Sequence, residues 1–160
     1  MKKGLIAAFF FLWPCVAGAG WKVERGIKVG SLRTDQVGII ATLPAQATFD
    51  GISAYLQVEC LEHPKSAARI VSIVTSRGTA PSLMMWRYQL DEHPAKQRGP
   101  YSRLSLKVTG LGDASSDEFK GLLTARRLRV TLMPAKGPQW PFEFDLSGAP
   151  QAISAVPCQK

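Results

Sequence analysis

The segment SAYLQVEC (53–60) alternates without a break. Ala54, Leu56, Val58 and Cys60 fall on one side of an extended chain, and Tyr55, Gln57 and Glu59 fall on the other. Successive side chains of a strand point to opposite faces, so this spacing fits a strand with one buried face and offers a helix no apolar stripe. The same period recurs in VGIIATL (37–43), ARIVSIVTS (68–76), SLMMWRYQL (82–90), SRLSLKVTG (102–110), RRLRVTLMP (126–134) and WPFEFDLSG (140–148). WKVERGIKVG (21–30) reads as a first strand or strand pair. Gly, Pro or charged clusters separate these segments, and AKGPQ (135–139) supplies a hairpin turn. Many short strands of this kind bury their apolar faces by packing sheet on sheet, so the expected fold is mainly β, an antiparallel β-sandwich. Met84, Trp86 and Tyr88 share one face of their strand and are expected between the sheets.

Two short helices interrupt the pattern. In GLGDASSDEFKGLLTARR (110–127), Ser115 and Glu118 have capping-box spacing, and Phe119, Leu122 and Leu123 form a short apolar stripe. GLGDAS (110–115) then reads as the turn before that helix, since it lacks the third glycine of a dinucleotide loop. APQAISAV (149–156) carries Pro150 at a permitted first-turn position.

The chain opens with Met1-Lys2-Lys3, an apolar run from Leu5 to Val16, and the small residues Ala17-Gly18-Ala19. This three-part pattern is that of a secretory signal peptide, and the run is short for a membrane span. Residues 1–19 are therefore expected to be removed, leaving 20–160 as a single domain in the periplasm. Trp13 and Pro14, bulky and rigid before Cys15, argue against a lipid-modified cysteine. Cleavage discards Cys15 and leaves Cys60 and Cys158, which in an oxidising compartment read as one disulfide. The alternative is a pair of buried thiols.

Loss of Lys2 and Lys3 lowers the formal net charge from +8 to +6. That balance favours an anionic partner, a protein or a cell-envelope component, and export argues against nucleic acid. Arg126, Arg127 and Arg129 are candidate anion or partner contacts, because Arg127 and Arg129 alternate with apolar residues and share the outward face. No nucleophile elbow, phosphate loop or His-Glu-x-x-His helix is present, so no catalytic, cofactor or metal residue is assigned. The rival reading is an envelope hydrolase or metal-dependent enzyme built on His63 and His93, each within Glu-His-Pro. A third is an inhibitor that inserts the loop EHPAKQRGPY (92–101) into a partner enzyme.

One resemblance adds to this. Leu123, Ala125 and Leu128 lead through Pro134 to Phe144, Leu146, Ser147 and Gly148, followed by a short helix and a terminal cysteine. This ending resembles the small periplasmic proteins associated with type VI secretion, the TagO-like (VasI-like) family. YLQVEC (55–60) looks like that family's upstream strand, which would make Cys60 the partner of Cys158. The likeness covers about the last two-thirds of the exported chain. It implies a non-enzymatic periplasmic accessory protein without a membrane span after signal removal.

Overall fold

The computed structural model describes residues 20–28, 37–63, 66–78, 85–99, 102–103, 108–113 and 116–158. Residues 1–19, expected to be a signal peptide, with Cys15, and also Met84 and Ser115, lie outside the described residues. Two antiparallel sheets make up the fold. The six-stranded sheet runs β1 (Lys22–Lys28), β2 (Val37–Pro44), β3 (Ala54–His63), β4 (Ser66–Thr75), β8 (Val108–Asp113) and β7 (Ser102–Arg103). The four-stranded sheet runs β10 (Trp140–Asp145), β9 (Arg127–Met133), β5 (Met85–Leu90) and β6 (Lys96–Arg98). Helices α1 (Asp117–Leu122) and α2 (Ala149–Ser154) complete it.

One core lies between the sheets, as the alternation requires. Ala41, Leu43, Leu56, Val58, Val71 and Ile73 meet Trp86, Tyr88, Val130, Leu132, Phe142 and Phe144 in a single buried cluster. Trp86 and Tyr88 are buried as expected, with ring centroids 5.1 Å apart. The gap beneath α1, walled by Val71, Trp86, Leu111 and Phe119, measures about 10 Å³. That is the lower limit for one water, so this part of the interior has no room for a substrate.

The bridge between Cys60 and Cys158 is present and joins residues 98 apart in sequence. It is half-buried, not enclosed. Ala149, Ala152, Ile153 and Val156 of the tail enter the common core, and Arg69 Nε donates to the Val156 carbonyl at 3.0 Å. Arg69 stands directly across from Cys60 in the β3–β4 register, so bridge and guanidinium hold the tail at one point.

Several expectations change. The α1 cap is Ser116, whose Oγ accepts the Phe119 N–H at 3.1 Å and donates to the Asp113 carbonyl at 2.8 Å. Adjacent serines offer the same chemistry, and the hydroxyl that reaches Asp113 wins. Gly110–Asp113 is not a turn but the end of β8, because β4 presents a partner edge to it. Lys96–Arg98, within the expected loop 92–101, forms β6 against β5. Glu59, expected on a solvated face, is 1% exposed. Ile40 and Ile70, its direct neighbours on β2 and β4, are themselves buried, and both Glu59 carboxylate oxygens lack a hydrogen-bond partner. Phe49 and Ile52 exchange two backbone hydrogen bonds around Asp50 and Gly51, both with positive φ. This Asp-Gly turn matches the twist of a two-residue hairpin.

Helix α1 is latched to the four-stranded sheet. Tyr88 Oη donates to Glu118 Oε1 at 2.9 Å, and Arg98 Nε donates to the same oxygen at 3.1 Å. Burial, followed by the Glu118 contact, pushes the Tyr88 phenol up to about 12. Burial would raise Glu118, but hydrogen bonds from its own backbone, Tyr88 and Arg98 outweigh it and hold the carboxyl below its ordinary range. A depressed folded value means that this stabilisation is present above the ordinary Glu range and is lost as pH falls through the folded value. Tyr88→Phe should therefore cost about 1–2 kcal/mol at neutral pH and much less in acid, read from urea unfolding at both. Equal losses at the two pH values would refute the latch.

Candidate functional site

The inward side chains Leu128, Val130 and Leu132 leave Arg127, Arg129, Thr131 and Met133 on the outer face of β9. Register then places their neighbours. Arg129 lies between Glu143 of β10 and Gln89 of β5, Thr131 between Pro141 and Arg87, and Met133 opposite Met85. Gln97 of β6 continues the Arg87 row.

Two of the three expected arginines are occupied. Arg127 Nη2 contacts Glu92 Oε1 at 2.6 Å, and its Nη1 lies 3.7 Å from Glu143 Oε1. Arg129 donates from Nε to Glu143 Oε2 at 3.0 Å and from Nη1 to Gln89 Oε1 at 3.3 Å. Such half-exposed pairs contribute about 0–1 kcal/mol each, so they orient the guanidiniums more than they stabilise the fold. Arg126 sits just before β9 with an exposed side chain, while its backbone N–H and that of Arg127 donate to Asp91 Oδ1 at 3.0 and 2.9 Å. Composition could not single out Arg87. It is exposed at the centre of this face and has no partner among the described residues.

A groove of about 400 Å³ opens beside these rows. Gln46 and Ala47 form one wall, and residues 129–131 of β9 and 141–143 of β10 form the rest. The wall is set by the Gln46 N–H, which donates to the Glu143 carbonyl at 2.8 Å and ties the loop after β2 to the outer edge of β10. The free edge of β10 is further blunted by Pro141, whose ring nitrogen carries no donor. A volume of this size lies within the range of small-ligand and side-chain pockets.

The two histidines lie on different elements, neither of them a strand of this face. His93 is exposed in the turn after β5, where its N–H donates to the Leu90 carbonyl. His63 ends β3 opposite Ser66, and its side chain lies outside the described residues. No group of three or more His, Cys, Asp or Glu that could hold a metal occurs among the described residues. No helix there is long and apolar enough to cross a membrane.

Asp91 deserves a test because it holds the start of β9 from a positive φ of 48°. Asp91→Asn keeps an acceptor and tolerates that backbone, and should be near neutral. Asp91→Ala leaves two N–H groups without an acceptor and should cost about 1–3 kcal/mol in chemical unfolding. Equal stability of the two variants would contradict this role.

No protein-family model and no curated protein matches the chain. Among solved structures, it is similar to the crystal structure of invasion associated protein B from Bartonella henselae. The TM-score is 0.53 at 13% identity, over 85% of this chain and 91% of that one. Likeness at this identity concerns the arrangement of the sheets and carries no activity with it.

Proposed function

We propose that the protein is a non-enzymatic periplasmic accessory protein, possessing no cofactor, that binds a protein partner through the outer face of β5, β9 and β10. The observation that supports this reading is the groove lined by Arg129 and Thr131, with Arg87, which has no partner among the described residues, directly across from Thr131 on β5. Export is supported by the signal pattern of residues 1–19 and by the disulfide, which forms and persists in oxidising compartments. The resemblance of the chain's ending to TagO-like proteins supports a secretion assembly as the setting, with Arg126, Arg127 and Arg129 as contacts.

The processed protein should have the mass of residues 20–160 and contain no reactive thiol; a full-length mass or two free thiols would refute export and pairing together. For binding, a photo-crosslinking residue is placed at Thr131 in native cells, and a control at Tyr55, which is 43% exposed on the other sheet. A discrete protein adduct is expected at 131 and not at 55. No adduct at 131, or equal adducts at both, would overturn the reading.

A further inference from the structure

Arg87 stands out among the arginines of the four-stranded sheet's outer face. Arg127 and Arg129 on β9 are each supplied with a carboxylate from within the chain, whereas Arg87 on the next strand has none among the described residues. Its row neighbours, Thr131 and Gln97, are neutral. Arg129 lies one residue pair away diagonally, and its counter-charge Glu143 is shared with Arg127. Among these three guanidiniums, Arg87 is therefore the one whose charge meets no carboxylate among the described residues.

The next row along the strand is apolar and deformable. Met85 is 38% exposed and directly opposite Met133, and Gln97 Nε2 lies 3.7 Å from its sulfur. Methionine adapts its shape to a partner, and Met and Arg are the residue types enriched at interface centres. Arg87 and Met85 are two residues apart on one strand face, a spacing of about 7 Å. An extended chain presents its own side chains on one face with the same spacing. The face thus offers two matched positions, a guanidinium and a thioether pair, beside a groove that begins at Thr131 and Pro141.

Resting on the partner-binding reading above, we infer that the carboxylate missing from Arg87 comes from an extended protein segment of the partner. It presents an acidic residue to Arg87 and, two positions on, an apolar side chain to Met85 and Met133. Charge complementarity selects this occupant over an anionic membrane. Glu92, Glu143 and Asp145 stand around the same face and would repel a continuous negative surface, while a peptide can place one carboxylate where the cation is.

The test uses the full processed chain and a displayed library of random dodecapeptides. Enriched peptides should share an acidic residue followed two positions later by an apolar one. Arg87→Gln should weaken the best peptide about tenfold, as loss of a charged hydrogen-bond pair does, and Arg87→Lys should restore part of it. Met85→Ser should weaken it separately. Both positions are exposed, and unchanged melting confirms the fold of each variant. Enrichment without an acid, equal binding by Arg87→Gln, or no enrichment overturns the inference. So does binding to vesicles of phosphatidylglycerol and phosphatidylcholine that the peptide fails to compete. Those results leave the crosslink at Thr131 standing, whereas its absence removes the partner-binding reading itself.

Discussion

Cys158→Ser is expected to destabilise the protein by about 2–5 kcal/mol, with the earliest loss of protection in residues 149–158. The bridge closes a long loop, since its cysteines are 98 residues apart, and constrains the unfolded chain accordingly. Locally, α2 spans only Ala149–Ser154, and a helix that short does not persist alone in water. It begins at Gly148, in a left-handed conformation at φ 82°, without a side-chain cap. What holds the tail is therefore tertiary. Ile153 and Val156 are buried in the core, Arg69 grips the Val156 carbonyl, and the bridge ties the chain end to β3. Breaking the bridge leaves the Arg69 hydrogen bond and the buried side chains of Ala149, Ala152, Ile153 and Val156 to oppose fraying. Hydrogen exchange should rise in the tail before the sheets open, and the melting temperature should fall clearly. A tail that stays protected in a variant of unchanged melting temperature would show that the apolar contacts suffice.

Replacing Glu59 should stabilise the protein, and by an amount that depends on pH. Glu59 is buried with Ile40 and Ile70 in register on either side, and burial pushes its carboxyl above the ordinary Glu range, with the Gln57 side chain opposing. Below the ordinary range both folded and unfolded chains hold the proton, and ionisation costs nothing. As pH rises, the unfolded chain ionises first and the folded state loses stability until pH passes the raised folded value. Glu59→Gln should match the wild type near pH 4 and exceed it by about 1–3 kcal/mol at pH 8. Glu59→Leu should gain more, because it also removes the polar atoms left without partners. Urea unfolding across that range is the measurement. A Gln variant whose stability runs parallel to the wild type would show that Glu59 is solvated or paired in solution.

The bridged tail and the buried Glu59 differ in how far they can be read from the chain. Alternation in residues 53–60, 126–134 and 140–148 placed β3, β9 and β10 and their buried faces, because side-chain direction along a strand is a local property. The two cysteines outside the expected signal segment were enough to expect the bridge. The Asp50-Gly51 dipeptide carried a hairpin signal that the strand pattern around it did not bring out. By contrast, Lys96–Arg98 is wholly polar and exposed, and becomes β6 only because β5 has an edge to pair with. Gly110–Asp113 is extended for the same reason, against β4. Glu59 occupies the polar phase of its strand, yet its surroundings are set by β2 and β4, so no local pattern reports its burial. The arginines show the same division. Their common outward face follows from alternation, but Glu143 reaches Arg129 from 14 residues away and Glu92 reaches Arg127 from 35. Which guanidinium is satisfied and which, like Arg87, is left open depends on register between strands distant in sequence, and register is fixed only when the sheets pair and their apolar faces close together.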